Sequence, residues 1–268
     1  PYPTLFPYTT LFRSKGIDSL ARHVPELNST GGRTKLAFKS LGIFALTTLY
    51  FILTDNIPTW TLDSQIVVIS LGYLILSRFF TQKYLFIEKY KEMAFAKAFE
   101  RFAIPGLAIV FAAVLHITYM NGPKFTQPLV VTVLIWLGWI CLLIGVPLFV
   151  RAVSVFGVDN VTMLYVYFPS GEMINSSIYG IIRHPVYGAV LRICIGLACL
   201  NRGIYPLTFV FVLPLLVYGS LCVVEEKELI ERFPDYTKYR NKVPAFFPHP
   251  NRIIPFFKFL KKFIYVYL

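Results

Sequence analysis

Charged residues are scarce in this sequence. Asp, Glu, Lys and Arg make up 15% of the 268 residues, whereas a soluble domain usually has about 25%. Hydrophobic residues make up 56%, and the mean hydropathy is +0.62. The composition therefore excludes an ordinary soluble domain and predicts an integral membrane protein.

Acidic residues are especially few, with 14 Asp and Glu against 26 Lys and Arg, which gives a net charge of +12. Such an excess can indicate nucleic-acid binding, but here the basic residues lie between long apolar runs. In that position they act as determinants of membrane topology and as contacts for anionic lipid. We therefore expect the membrane as a partner and no nucleic acid.

Cysteine is also rare, and the chain lacks both CxxC spacings and nearby His pairs. The four cysteines all lie in apolar runs: Cys141, Cys194, Cys199 and Cys222. We interpret them as small buried hydrophobic residues, neither metal ligands nor a disulfide framework, and expect no metal site.

Methionine is lacking before Met93, and the stretch TLFPYTTLFRS, residues 4–14, has neither helical nor strand periodicity. Written back into codons, it resembles a sequencing-library adapter translated in frame. We therefore expect residues 1–14 to be a non-native leader outside the fold, and an environmental, microbial source. The alternative is a natural hydrophobic leader, although Arg13 and Lys15 follow the apolar stretch instead of preceding it.

Six apolar runs suit membrane-spanning helices, which take roughly 17 to 25 residues. They lie near residues 36–54, 65–80, 103–120, 129–150, 186–200 and 205–224. Only NRGIY separates the last two, so we expect an antiparallel helical hairpin with Asn201 and Gly203 in its turn.

Basic residues are abundant in alternate connections between these runs. The segment before the first run, the connection after the second and the C-terminal tail are rich in Lys and Arg, whereas the connections after the first and third hold at most one. By the positive-inside rule, both termini and residues 151–185 are predicted to be cytoplasmic. The predicted fold class is an all-α, polytopic membrane bundle of about six spans.

The chain has no internal repeat and no second soluble domain. We divide it into the leader (1–14), the N-terminal spans with a cytosolic connection (15–102), a membrane core (103–248) and an amphipathic interfacial tail (249–268). In the core, VTMLYVYF suits either an interfacial segment or a short strand. The tail suits a helix in the headgroup region, and a frayed hydrophobic end is the alternative.

The motif YGIIRHPVYG, at the start of the hairpin, is the first candidate site. Pro185 suits the first turn of a helix. Arg183 and His184 would then lie at the helix start, where unpaired N–H groups and the helix dipole favour an anion, and Arg183 could bind a carboxylate in a fork. On its own, the motif is explained equally well as a topological stop with an interfacial tyrosine.

The motif VVEEKELIERF, at the end of the hairpin, is the second candidate site. Glu225 and Glu226 directly follow an apolar run, where two adjacent carboxylates need cations or hydrogen-bond donors to offset desolvation and repulsion. Because a hairpin returns to the side it left, they should lie close to His184. Arg and His at one end and two Glu at the other suit a zwitterion with extra positive charge, such as S-adenosylmethionine (SAM).

Two further features involve basic side chains. In FPDYTKYRNKVPAFFP, Tyr236 and Tyr239 share a helix face beside Arg240, although an aromatic belt with snorkelling cations explains this motif too. Arg192 lies within an apolar run, roughly two turns beyond His184 and on the same helix face. An intramembrane Arg marks a functional site by default, and we expect one of the two Glu as its partner.

Taken in order, RHPxY, an apolar hairpin, EE, F-x-x-Y-x-x-Y and V-P resemble the C-terminal half of the isoprenylcysteine carboxyl methyltransferase and phospholipid N-methyltransferase superfamily. The resemblance runs from about residue 156 to residue 248. It implies a helical core that binds SAM at the cytosolic membrane face, with a lipid acceptor entering from the bilayer. Two departures are Ser177 and Ile178 in place of a common Gly-Pro, and Ala189 at a position that often holds Gly.

The resemblance also implies roles for individual residues. The implied cofactor contacts are Tyr179, Arg183, His184, Tyr187, Glu225 and Glu226. Arg240, near the acceptor, and His184 are the implied catalytic residues. The reaction would be a direct in-line displacement at the methyl carbon, driven by positioning and desolvation and without a covalent enzyme intermediate. A carboxylate acceptor is already ionised, whereas an amine would lose a proton to His184 or to a Glu.

Two other functions remain open at this point. Sterol reductases have a similar C-terminal membrane core but bind a nicotinamide cofactor, and adjacent carboxylates suit a phosphate-bearing cofactor less well than a cationic one. The other alternative is a non-catalytic membrane protein that has kept the fold. Within the favoured class, the acceptor could be an isoprenylcysteine carboxylate, a phospholipid amine or another small or lipid acceptor, and the expected location is a microbial inner membrane.

Overall fold

A computed structural model describes residues 20–57, 59–157, 162–168 and 173–267, so the leader expected at residues 1–14 lies outside the described part. Within the described residues the fold is helical and contains no β-strand, which confirms the all-α class. The helices are α1 (Thr30–Thr54), α2 (Thr61–Thr81), α3 (Lys83–Tyr90), α4 (Ala94–Ala98), α5 (Ile104–His116), α6 (Pro128–Phe156), α7 (Leu164–Tyr167), α8 (Pro185–Asn201), α9 (Ile204–Val217), α10 (Val223–Arg232), α11 (Tyr236–Lys242) and α12 (Ile253–Tyr267).

Five helical segments are long and apolar enough to cross a membrane, and the protein is an integral membrane protein. They are Thr30–Thr54, Thr61–Thr81, Lys83–His116, Pro128–Phe156 and Ile204–Arg232. Two of these are composite, because a π-helical turn joins α4 to α5 and another joins α9 to α10. The remaining predicted run forms α8, whose 17 residues lie at the lower limit for a span.

Close backbone contact holds α6 against α8. Glycines make this possible: a Cβ added at Gly138 of α6 would lie 3.1 Å from the carbonyl oxygen of Gly196 on α8, and one at Gly196 would lie 3.0 Å from the Gly138 carbonyl oxygen. Small residues let helices in membranes approach closely and gain van der Waals contact. The α6–α8 pair is therefore a rigid support for the start of α8.

The hairpin turn differs from the sequence-based prediction in one respect. The left-handed residue is Arg202, at φ 63°, and Gly203 has an ordinary extended conformation. Asn201 instead ties the turn to the end of α5, since its side-chain amide donates to the carbonyl groups of Ile117 (3.0 Å) and Met120 (3.2 Å).

A buried polar cluster joins α1, α2 and α5 at the same end of the bundle as this turn. His116 Nε2 lies 3.1 Å from both carboxylate oxygens of Asp55, and His116 Nδ1 lies 2.7 Å from Gln65 Oε1. The Asn121 N–H donates to Asp55 at 3.1 Å, and the Phe51 ring stacks on the imidazole at 3.9 Å. Because the cluster is buried, its hydrogen bonds fix how the three helices fit together.

Two segments whose secondary structure the sequence left open are helical. Within VTMLYVYF, residues 164–167 form the short helix α7, so the short-strand interpretation is wrong. The tail forms α12, which packs against α6 and the turn Ser177–Gly180 through the buried residues Phe256, Phe259 and Leu260. This packing explains why the tail is an ordered helix and not a frayed end.

Candidate functional site

Four consecutive carbonyl groups hold the start of α8 in place. They belong to residues 243–246, which we call the strap. The backbone N–H groups of Arg183 and His184 donate to the second and third of these carbonyls at 2.8 and 3.0 Å. The Arg183 guanidinium donates to the first, and Arg192 donates to the fourth at 3.1 Å. The helix start is thereby fixed by a segment some sixty positions further along the chain.

Gly188 allows the strap to approach α8. A Cβ added there would lie 3.0 Å from the carbonyl oxygen of Phe246 and 3.2 Å from Arg192 Nη1, which is tighter than nearly all real contacts. The glycine one position after Tyr187 is therefore explained by the approach of the strap.

Glu226 is the centre of a buried ion-pair cluster. Its Oε1 accepts from Arg183 Nε at 3.0 Å and from His184 Nε2 at 2.8 Å. Arg240 Nη1 lies 3.8 Å from Glu226 Oε2. Buried carboxylates are stable only when they are paired in this way. Glu226 thus joins the helices α8, α10 and α11.

Glu225, the adjacent residue, has different surroundings. Its Oε1 accepts from the Tyr165 hydroxyl at 3.0 Å, but within the described residues its Oε2 is buried without a hydrogen bond, and His184 Nδ1 lies 3.8 Å from it. Tyr187 also faces this carboxylate. Glu225 therefore keeps one acceptor oxygen available.

A cavity of about 530 Å³ opens in front of Glu225. At one end its lining is polar, and the side chains there include Tyr165, Tyr179, Arg183, His184, Tyr187, Glu225, Arg232 and Tyr239. At the other end it is apolar, with Leu76, Leu107, Val110, Phe111, Val114 and Phe149. A cavity of this volume and polarity is suited to a molecule with a charged group and an adjoining apolar acceptor.

Three buried polar atoms around this cavity have no hydrogen-bond partner within the described residues. They are Glu225 Oε2, the Tyr179 hydroxyl and Arg232 Nε, and all three residues line the cavity. A buried polar atom without a partner costs about 1–3 kcal/mol. An acceptor, a hydroxyl and a cationic donor, each without a partner in the described part of the chain, therefore belong to residues that line one ligand space.

Arg232 is a site residue that sequence reasoning missed. Its Nη1 donates to the Tyr165 carbonyl at 3.0 Å and its Nη2 to Glu228 at 3.2 Å, and the guanidinium lies 4.8 Å from the centre of the Tyr165 ring. A usable signal was present, because residues 225 and 232 are two helical turns apart and share one face.

The tyrosines around the site remain protonated at neutral pH. Burial raises the pKa of Tyr165 well above its usual value, and the neighbouring Glu225 carboxylate raises it further. Burial and the same carboxylate also raise the pKa of Tyr179. Both side chains are therefore neutral hydroxyl donors.

The partner predicted for Arg192 is wrong. Its Nη1 donates to the carbonyl groups of Gly188 (2.7 Å) and Phe246 (3.1 Å), and the guanidinium lies 4.6 Å from the centre of the Phe247 ring. The strap lies beside α8 at this level, so one strap carbonyl, one carbonyl of α8 and the ring of Phe247, just beyond the strap, compensate the charge that we had expected a glutamate to compensate.

The structure brings most of the predicted site residues to the cavity. Tyr179, Arg183, His184, Tyr187 and Glu225 line it. Among the described lining residues, Glu226 and Arg240 do not occur. The Arg240 side chain is 40% exposed and lies 3.8 Å from Glu226, and the Arg240 carbonyl accepts from the guanidinium of the lining residue Arg183 at 3.0 Å.

The fold and this cavity define a class: a helical integral membrane protein with a polar ligand site continuous with an apolar one. Residues 133–235 match the family model described as phospholipid methyltransferase, and this stretch is a domain of that type in the superfamily shared with isoprenylcysteine carboxyl methyltransferases. The resemblance inferred from the motifs is thereby confirmed. The match begins earlier than expected, within α6, and ends before the strap.

One curated relative is the cobalt-zinc-cadmium resistance protein CzcN of Cupriavidus metallidurans. It is 28% identical over 79 residues, which cover 30% of this chain and 37% of the relative. The chain thus matches little more than a third of that protein's length. No solved structure matches the chain.

Proposed function

We propose that this protein is a SAM-dependent methyltransferase that transfers a methyl group to a lipid or a lipid-modified acceptor. The observation that carries the proposal is the convergence of Glu225 Oε2, the Tyr179 hydroxyl and Arg232 Nε on one cavity, each buried and without a partner within the described residues. The phospholipid methyltransferase domain at residues 133–235 supports the same reaction class.

The donor set fits SAM. Glu225 offers a buried carboxylate oxygen to a cationic group, either the ammonium or the sulfonium. Arg232 offers an N–H to the carboxylate, and Tyr179 offers its hydroxyl to the ribose diol. A nicotinamide cofactor would instead place phosphates beside Glu225, where like charges repel and the free acceptor oxygen would gain no donor.

The acceptor is proposed to enter from the bilayer. Leu107 and Phe111 line the apolar end of the cavity, and they are also 39% and 60% exposed on the outer face of α5. In a membrane, that face contacts lipid chains. An apolar chain can therefore reach the cavity without crossing water. The cavity walls are compatible with either an isoprenylcysteine carboxylate or a phospholipid amine.

The residues of the chain contribute mainly binding, orientation and exclusion of water. SAM, when bound, supplies an electrophilic methyl group on sulfur. Glu225 and Arg232 would fix the direction of that group, and the apolar wall would keep water from the acceptor. His184 is held by Glu226 at Nε2 and by the strap at its backbone N–H, and it lines the cavity with its other ring nitrogen 3.8 Å from Glu225. An amine acceptor would lose its proton to His184 or Glu225, whereas a carboxylate acceptor needs no base.

We further propose that the site end of the bundle faces the cytoplasm of a microbial inner membrane. The Lys and Arg distribution supports this orientation, because the basic connections adjoin the same end as His184 and Glu225. On this proposal, residues 103–248 form the methyltransferase core, and residues 15–102 cover it on the side of α5.

The test is SAM binding by titration calorimetry to the full chain in detergent. We compare the parent with Glu225→Gln, His184→Ala and a matched control, Glu231→Gln, in which the carboxylate replaced is exposed on the same helix. The expected result is binding by the parent and the control, weak or no binding by the other two, and transfer of labelled methyl from SAM to extracted lipids. A folded parent that binds NADPH but not SAM would indicate a reductase, and one that binds neither would indicate a non-catalytic protein.

A further inference from the structure

A second cavity, of about 600 Å³, lies on the protein surface beside the strap. It is separate from the site: its walls are the outer sides of α11 and of the turn before α12, and it shares only Tyr239 and Met173 with the cavity described above. Basic and amide side chains dominate its polar lining, namely Lys238, Lys242, His249, Arg252, Asn175 and Asn251.

The charges in this second cavity do not cancel. Among the described lining residues the single carboxylate, that of Asp235, forms an ion pair with Lys238 at 3.0 Å. Within the described residues, Lys242 and Arg252 have no carboxylate in ion-pair range. Both cations therefore face the cavity with their charge uncompensated, which favours an anionic ligand.

The position of the cavity indicates where that anion comes from. Arg252 directly precedes α12, and the first residues of α12 are apolar and exposed: Ile253 by 43% and Ile254 by 70%. The opposite face of α12 is buried against α6, which spans the membrane. A helix with one face on the bundle and exposed apolar residues beside basic ones lies at the level of the lipid headgroups.

We propose that this cavity binds the phosphate of an anionic membrane lipid, with Lys242 and Arg252 as the two charge partners. Asn175 and Asn251 supply amide donors, and the exposed residues at the start of α12 contact the acyl chains. Val243 and Pro244 form part of the wall, so a bound headgroup would also touch the strap that holds the start of α8. The proposal is independent of methyl transfer.

Native mass spectrometry of the full chain, titrated with phosphatidylglycerol or with phosphatidylcholine of the same acyl chains, tests this site. The variant Lys242→Gln/Arg252→Gln is compared with Lys89→Gln/Lys258→Gln, which removes the same charge from exposed positions outside the cavity. Each cavity charge is worth about 1 kcal/mol near an anionic headgroup, or about fivefold in affinity, so the double variant should bind phosphatidylglycerol about 25-fold more weakly. The control should bind like the parent.

Three results would overturn the proposal. Equal weakening in both variants would mean that surface charge in general attracts the lipid. Equal affinity of the parent for the two lipids would mean that no headgroup is selected. If millimolar inorganic phosphate displaced bound phosphatidylglycerol, and the protein bound phosphate and the lipid with equal affinity, the site would be assigned to a free anion. Melting temperatures within a degree or two of the parent would establish that the variants are folded.

Discussion

Glu225 and Glu226 are adjacent in the chain, yet their carboxylates lie in different surroundings. Glu226 Oε1 accepts two hydrogen bonds, from Arg183 at 3.0 Å and His184 at 2.8 Å, whereas Glu225 Oε2 accepts none from the part of the chain that the structure describes, and Glu225 lines the cavity. Successive residues of a helix point about 100° apart, so one side chain can join the neighbouring elements while the next faces a ligand. On the proposed function, the pair thus combines a structural role with a binding role.

This division predicts opposite effects of two isosteric substitutions. Glu225→Gln should weaken SAM binding about 10- to 100-fold, because a charged hydrogen bond worth about 1.5–3 kcal/mol is lost. Its melting temperature should be unchanged or raised, since a poorly compensated buried negative charge is removed. Glu226→Gln should lower the free energy of unfolding by about 1–3 kcal/mol, because Arg183 and His184 lose the negative charge of their shared acceptor. Calorimetry measures the effect on SAM binding, and thermal melts measure the effect on stability. Identical behaviour of both variants would refute the division of roles between Glu225 and Glu226.

Arg192 is predicted to act on the site through the strap. In Arg192→Met, the Phe246 carbonyl loses its donor, and we expect methyl transfer to fall about 10- to 100-fold, as misplacement of the site residues by about 1 Å would cause. Hydrogen exchange at the amides of Arg183 and His184, which donate to the same strap, should accelerate, while exchange in α1 should not. Arg192→Lys should recover part of the activity. Unchanged exchange at both amides would show that the strap does not depend on Arg192.

Stability at alkaline pH should depend on Tyr165. Because burial and Glu225 raise its pKa, the folded protein keeps the phenol proton at pH values where the unfolded chain has lost it. Stability is therefore fully present below the usual tyrosine pKa of about 10 and declines above it, by up to about 1.4 kcal/mol per pH unit for this one group. Tyr165→Phe should make the decline less steep between pH 10 and 12. Tyr84→Phe, at a side chain that is 70% exposed, is the control and should match the parent.

The buried pair of His116 and Asp55 should be strongly coupled. His116→Leu leaves the Asp55 carboxylate buried with only the Asn121 N–H as a partner, and we expect a loss of about 3–5 kcal/mol. Adding Asp55→Asn should restore part of that loss, because a neutral amide is less costly to bury. A double-mutant cycle of unfolding free energies measures the coupling. Strictly additive effects would mean that the two side chains do not interact.

The motifs were sufficient to predict which sequence segments the fold brings to the cavity. Pro185 marked the start of α8, and the short connection after it required a hairpin that returns Glu225 to the side of His184. These inferences depend on helical periodicity and on the shortness of one turn, both of which are local. The family resemblance gave the same residues and is confirmed for residues 133–235.

The contacts between those segments were not predictable in the same way. Arg192 was expected to pair with a glutamate, but one strap carbonyl, one carbonyl of α8 and the Phe247 ring surround it instead. Arg232 was overlooked, although its guanidinium lies beside Tyr165 in the same cavity as Glu225. For Arg192 the partner comes from a connection whose path over the helices has no periodic signal in the sequence, whereas for Arg232 the helix face shared with Glu225 was a signal that went unused.

By itself, the sequence determined that this is a helical membrane protein with a hairpin near its C-terminal end, because apolar length, basic connections and a proline-started helix are local properties of the chain. Only the tertiary structure decided which of two adjacent glutamates keeps a free oxygen, and that residues 243–246 hold the helix start. The physical reason is that the hydrogen bonds and the burial of these atoms depend on which distant backbone segment packs against them in the folded protein.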